Sequence, residues 1–452
     1  MLIDRCRQKC CPPFEYFFSG GVLMNNLSIC QKIIRGIGQL ISSPDFLESF
    51  RQGKHFTRRR KIDMRHVILY LFYHSGSSMN LNISGIRDDL PELRFPDVSK
   101  QALSKARKGI SPELFRSLFH FSVRTFYSSC PERKNWHGFF PFAIDGSRIQ
   151  VPTTKDNLSY FGQCRNGSHS REDSMAGVSL LYDVCNDIVA DGLIRGFSHG
   201  ERSSAMEHLS FLEENSLTDR ALILCDRGYP SYELFSHIKE QGYFFLMRIQ
   251  KKIYSLTDTG TDDAFVDYAP DYLRKKGNPP VRVRVLRIML ESGMEEWLVT
   301  NLLDPSFTPE DFSSLYFLRW KVEGKYHEFK SRLEIEEFHG ARHESVEQEV
   351  CFWFLFSNLC ALLKSDADVV IEKQLAGSRN KYRYQANRSY LIGRLKKKLP
   401  RLLLKPEGIR RQLLELLDEA VKKRSQIQPG RNCKRPRIQL RYRHLNNRKP
   451  CI

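Results

Sequence analysis

The sequence predicts an α/β domain with a mixed sheet, set between an all-helical N-terminal domain and a helical C-terminal region. Two observations carry this. Short apolar runs bounded by turn residues recur between about residues 139 and 300, whereas residues 45–126 and those beyond 308 show the 3.6-residue period of amphipathic helices. The chain also has 452 residues, 41% of them hydrophobic, which is enough for two or more domains with real cores and excludes disorder throughout.

Residues 1–23 mix Cys, Pro and charge and read as an over-extended start or a disordered segment, with Met24 opening more ordinary sequence. Residues 24–130 are expected to be helical: Ser43, Pro44 and Asp45 make a helix start, and Met64–Phe72 carries an apolar stripe. Ser99 caps a short basic helix whose Lys100, Lys105, Arg107 and Lys108 are expected to face outward around Ala102, Leu103 and Ala106.

The α/β domain is placed at 131–345. Phe139–Ile144 is a strand ending at Asp145; 177–184 and 188–197 form a hairpin about a turn at Cys185–Asp187; a helix covers roughly Glu201–Asn215. ALILC (221–225) is a buried strand ending at Asp226, and a helix over 231–241 leads through Gly242 to the strand YFFLMRI. Residues of about 250–300 read as a β insertion, followed by a long helix from Thr308 or Pro309 that carries Leu315–Glu337. Residues 346–420 are helical, with Val350–Leu363 buried and a basic face on 387–417, and 421–452 form a basic disordered tail.

Charge points to a polyanionic partner. There are 71 Lys+Arg against 52 Asp+Glu, a net +19, and between Lys422 and Lys449 eleven basic residues stand without one acid. Such blocks bind nucleic acid by counterion release, although a merely solubilising tail has the same composition. A second cluster, KHFTRRRK (54–61), supports the nucleic-acid reading, and the short helix with Lys100 and Lys105 suits a DNA major groove or, equally, a solvated face. The twelve Cys lack metal-type CxxC pairs, and the cluster Cys6, Cys10 and Cys11 has no further ligand nearby, so they fit a reducing, cytoplasmic compartment. No membrane span is expected: Val350–Leu363 is shorter than the roughly 20 apolar residues required.

Three carboxylates carry the chemistry. Asp145 and Asp226 each follow an apolar strand run, where ligand sites form in open α/β sheets, though a lone Asp there is also a common turn former. In YFLRWKVEGKYHEFK, Arg319, Glu323 and Lys330 follow Tyr316 by 3, 7 and 14 residues, which at about 100° per residue puts the four on one narrow arc of a helix. That face, a carboxylate between cations beside a phenol, suits a metal ion next to a phosphodiester. Its bland alternative is a salt-bridged surface, since Arg319 and Glu323 are also an i,i+4 pair.

The spacing Y-x2-R-x3-E-x6-K resembles the signature of the insertion sequence four family of bacterial DDE transposases. Asp145 in IDGSRI and Asp226 in CDRGY look like the family's first two catalytic acids, with 81 and 97 residues separating the three. The resemblance covers about Phe46–Leu404. It implies an RNase H-like core in which Asp145, Asp226 and Glu323 are catalytic and hold two Mg²⁺ ions, with Mn²⁺ as a substitute. Three carboxylates can hold two ions about 3.5–4 Å apart, one activating a water or 3′-hydroxyl and one stabilising the leaving oxygen. It further implies that Tyr316, Arg319 and Lys330 contact transposon-end phosphates, and that Trp297 stacks a flipped base beside a DNA hairpin, unless Trp297 is simply a core residue.

The expected function is therefore that of a DNA transposase. It would bind the terminal inverted repeats of its element as duplex DNA, cleave the ends and join them to target DNA, acting as a homodimer in a bacterial cytoplasm and associated with the nucleoid when bound. Two alternatives share the scaffold: a DNA-binding protein that has lost catalysis, and an RNase H-like structure-selective nuclease. The second leaves the signature helix unexplained.

Overall fold

The computed structural model describes residues 25–428 apart from 59, 74–77, 131, 166–171, 252–254, 258–259 and 291–292. The first 23 residues, with Cys6, Cys10 and Cys11, and most of the basic tail lie outside the described residues. Two compact units are present: one formed by Met1–Cys130, Ile149–Ala176 and Phe329–Ile452, the other by Pro131–Arg148 and Gly177–Glu328.

The strands are β1 (Phe140–Gln150), β2 (Gln163–Arg165), β3 (Glu172–Asp183), β4 (Ile188–Gly196), β5 (Ala221–Cys225), β6 (Phe244–Ile249), β7 (Asp263–Tyr268), β8 (Val281–Met289), β9 (Glu295–Thr300), β10 (Arg383–Ala386) and β11 (Arg424–Ile427). In the second unit the sheet runs β3-β1-β5-β6-β9-β8-β7, with β4 paired to β3. β1, β5 and β6 are mutually parallel, in the registers Phe140↔Ala221 and Leu222↔Phe244, and β9, β8 and β7 add antiparallel strands to β6. Every residue of β5 is fully buried, as a continuous apolar run in a central parallel strand should be. The segment expected as an insertion thus continues the main sheet through β9, β8 and β7.

Three expectations need correction. β1 does not stop before Asp145 but continues to Gln150, because beyond Ile144 the strand becomes half-exposed and its apolar run ends while its backbone pairing does not. The helix expected over Leu315–Glu337 is two helices, Pro309–Phe317 and Lys321–Ser331, joined by a 3₁₀ turn at Leu318–Trp320. The start of the expected disordered tail is ordered: Val421 and Lys422 close the helix Ile409–Lys422, and β11 pairs antiparallel with β10.

The first unit is built on the 33-residue helix His343–Leu375, buried along most of its length. The helices Asn25–Leu40, Pro112–Ser129 and Ile409–Lys422 pack on it. Phe72 meets Phe352 edge-on at 5.0 Å, and Phe119 meets Phe354 at 5.6 Å. Asp366 accepts hydrogen bonds from the backbone N–H of Leu27 (2.8 Å), an orphan donor at the start of Asn25–Leu40, and from the side-chain Nδ2 of Asn26 (3.0 Å). Arg107, expected to face solvent, is buried. It shares the inward face of its helix with Leu103, four residues earlier, donates to Glu349 (2.8 Å) and Gln348 (2.7 Å), and reaches the carbonyl of Ser345 (2.6 Å).

Candidate active site

The second unit brings the three predicted acids together. Asp145 lies within β1, where its Oδ1 accepts from the N–H of Gly146 at 2.9 Å. Asp226 is the first residue after β5 and accepts from the N–H of Gly228 at 2.9 Å. Adjacent parallel strands β1 and β5 therefore deliver both aspartates to one end of the sheet. Glu323 comes from the helix Lys321–Ser331, which is tied to β1 three residues further on: the Tyr326 hydroxyl bridges the carbonyls of Asp145 (2.7 Å) and Val178 (3.0 Å).

Arg319 stands between two of the acids. Its Nη2 donates to Glu323 Oε1 at 2.9 Å, and its Nη1 lies 3.9 Å from Asp145 Oδ2. The guanidinium is almost wholly buried, 4.7 Å above the Trp320 ring and 5.8 Å from that of Tyr316. Burial pushes the carboxyl of Asp145 up to about 7; Arg319 opposes this, and the negative charges of Asp226 and Glu323 add to it. Crowded, partly desolvated carboxylates of this kind favour a cation, and an all-oxygen donor set fits a hard divalent one. Asp145, Asp226 and Glu323 are the residues that would hold it. The ligand atoms of the three are not drawn together within 4.8 Å; among the described residues the group that meets this spacing is Asp156, His343 and Glu344, in the first unit.

The other predicted residues fall as follows. Tyr316 is buried, and burial raises its phenol well above the ordinary value. The 3₁₀ turn after it advances the chain by about 120° per residue, a phase shift of roughly 60° in all, and Arg319 within it stays paired with Glu323. Lys330, half-buried, belongs to the first unit; burial lowers its pKa and Glu336 opposes that. Trp297 is buried in β9, opposite Ile249 and Arg287, yet lines a cavity of about 370 Å³ with Arg227, Arg248 and Lys251. In the first unit, Lys100 and Lys105 are exposed on the helix Lys100–Arg107, and Lys105 joins Lys54, Arg58, Arg60 and Lys61 around a cavity of about 660 Å³.

Sequence reasoning missed Tyr326 and Glu201. Glu201 is the first residue of the helix Glu201–Asn215, and an acid there reads as an ordinary partner of the helix dipole, so the sequence holds no separate signal for it. Tyr326 sits one turn after Glu323, and only the fold reveals that its hydroxyl reaches β1.

Residues 141–359 match the family described as Transposase DDE domain, a span that contains Asp145, Asp226 and Glu323. Over 147 residues, 32% of this chain, the sequence is 22% identical to the protein named "Putative transposase InsZ" of Escherichia coli (strain K12), and it covers 47% of that protein. Among solved structures, a piggyBac transposase synaptic complex with hairpin DNA aligns over 89% of this chain and 85% of its own, with a TM-score of 0.43 and 10% identity. The family match thus covers the part of the chain that carries the acids. No helix among the described residues is long and apolar enough to cross a membrane.

Proposed function

We propose that the chain is a DNA transposase with an RNase H-like core, similar to the insertion sequence four group. It binds the terminal inverted repeats of its own element, cleaves at their ends and joins them to target DNA. The observation that carries this reading is that Asp145 and Glu323 flank one buried arginine while Asp226 follows the strand paired to β1, within the residues that match the Transposase DDE domain.

In this reading the three acids are the catalytic residues and would hold two Mg²⁺ ions, for which Mn²⁺ can substitute. Bound there, the ions would activate a water or 3′-hydroxyl and stabilise the leaving oxygen. Arg319 neutralises the acids before that charge arrives and afterwards presents its guanidinium to a phosphate, which its planar fork can bind in bidentate fashion. Tyr316 and Lys330 are assigned to the same transposon-end phosphates.

Trp297 is assigned to a flipped base beside a hairpin intermediate; its cavity is lined by Arg227, Arg248 and Lys251 and also by Glu295, with Lys251 paired to Glu295 and Arg248 to Glu296. Lys100 and Lys105, with the basic cavity at 54–61, are assigned to duplex DNA binding in an N-terminal DNA-binding domain. Two copies acting on paired ends, in a bacterial cytoplasm and associated with the nucleoid, complete the proposal.

The test is cleavage of duplex DNA carrying the inverted repeats that flank the gene. Single replacement of Asp145, Asp226 or Glu323 by Ala should bring end cleavage to background while leaving repeat binding largely intact. A variant that cleaves at the wild-type rate with Mg²⁺ removes that residue from the site. Arg319→Ala and Lys330→Ala should instead weaken engagement of the cut end, because phosphate contacts position the substrate. Trp297→Ala should nick the first strand but form less hairpin, with Trp297→Phe restoring much of it. A DNA-binding protein without catalysis would bind and never cleave, and a nuclease would cleave without joining.

A further inference from the structure

Glu201 stands beside Gly146 and Gly228, the glycines that follow the two aspartates of the candidate site, and has no assigned role. It opens the helix Glu201–Asn215, whose start is tied to the turn after β5 by Arg202 Nε donating to the carbonyl of Gly228 at 3.3 Å. A methyl group placed on Gly146, next to Asp145, would lie 3.6 Å from Glu201 Oε1. One placed on Gly228, two residues after Asp226, would lie 3.2 Å from Glu201 Oε2 and 3.3 Å from Asp226 Oδ1. One oxygen of the Glu201 carboxylate therefore lies toward Gly146 of β1 and the other toward Gly228 and Asp226 Oδ1, and among the described residues no cation or donor pairs with it.

A second, independent feature points to a ligand at the same place. The Tyr229 side chain is fully buried, yet its hydroxyl has no hydrogen-bond partner. That hydroxyl lies 3.8 Å from the same methyl position on Gly146 that faces Glu201 Oε1. A buried O–H without a partner has lost its hydration with nothing in return, and it is rarely kept in a fold unless something supplies the missing acceptor. The acceptor that would satisfy it is a carboxylate oxygen of the site drawn inward, or a water held by a bound cation.

From these contacts we infer that Glu201 supplies a fourth carboxylate to the divalent-cation site at Asp145 and Asp226, and that the Tyr229 hydroxyl positions the oxygens of that site. The inference rests on the reading of Asp145, Asp226 and Glu323 as a metal-dependent active site. It deepens that reading by giving the cation two acids from strands β1 and β5, one from a late helix and one from the helix between β4 and β5. Fixing Glu201 on the first turn of a helix, against a turn that its neighbour Arg202 anchors, would hold its carboxylate in place without support from a salt bridge.

The experiment is a Mn²⁺ titration of the full chain without DNA, followed by the electron paramagnetic resonance of the free ion, so that the readout is binding and not turnover. Glu201→Gln, which removes charge at constant size, should weaken the tightest Mn²⁺ class by about 10- to 100-fold, the range seen when residues supporting a metal site are lost. Glu201→Asp should recover part of that loss. Tyr229→Phe should weaken binding less than Glu201→Gln. Circular dichroism of each variant should match the wild type, as Glu201 is exposed at a helix start. Asp226→Asn serves as the reference. If it loses the tight class while folded Glu201→Gln binds within twofold of wild type, the role of Glu201 is overturned and the active-site reading stands. If neither variant changes Mn²⁺ binding, both fall.

Discussion

Asp145 shows how much a single position depends on its surroundings. Its carboxyl has an unfolded value near 3.8 and a folded value of about 7, with burial as the main cause. Below about pH 4 the group is protonated in both states and costs nothing. Between about 4 and 7 the unfolded chain releases a proton that the folded chain keeps, so this contribution to stability is lost as pH rises, fully so above 7. Asp145→Asn, in the absence of divalent cations, should therefore raise the melting temperature at pH 8 and leave it unchanged near pH 4. Thermal denaturation at the two pH values checks this, and an equal or lower melting temperature at pH 8 would mean that Asp145 is not held in a desolvated site. Asp145 and Asp226 stood out in the sequence as the acids that follow apolar runs, and Glu323 through its spacing from Arg319. Glu201 and Tyr326 did not, since an acid in a first helical turn and a tyrosine on a buried face have ordinary reasons to be there.

Among the elements, apolar runs with clear stops were read well: β5 at Ala221–Cys225 and the helix Glu201–Asn215 match their expected limits. The helix Lys155–Phe161 and the short strand β2 were missed because neither carries a long apolar period, and the helix also leans on distant chain. Thr154 Oγ1, for instance, caps the Lys155–Phe161 helix by accepting from the N–H of Asn157 and donates to the carbonyl of Ala341 at 2.9 Å. Local sequence also misassigned Arg107. Its charge suggested solvent, but Glu349, itself accepting from the N–H groups of His339 and Gly340, makes an inward guanidinium the satisfied state. Arg107→Ala should leave the Glu349 carboxylate buried with one cation fewer and cost about 3–5 kcal/mol in urea unfolding. A loss below about 1 kcal/mol would show that this pair does not hold the helix Lys100–Arg107 to His343–Leu375.

The chain as a whole carries a net charge of +19. The cavity rimmed by Lys54, Arg58, Arg60, Lys61 and Lys105 has an apolar floor including Ile62 and Val98, so it presents cations without burying them. Replacing Lys54, Arg58, Arg60 and Lys61 together by Gln should weaken duplex DNA binding at low salt and flatten its salt dependence by up to about 0.9 per lost phosphate contact. Fluorescence anisotropy over a salt series measures both, and an unchanged slope would remove this surface from the DNA interface. DNA cleavage is the activity that the three acids would most directly confer. Full-length protein, Mg²⁺ and a duplex bearing the inverted repeats that flank its gene should yield breaks at the repeat ends and products joined to a second duplex. Asp226→Asn should bind the same duplex and yield neither. Equal cleavage by wild type and Asp226→Asn, or tight binding with no break by the wild type, would contradict the transposase reading.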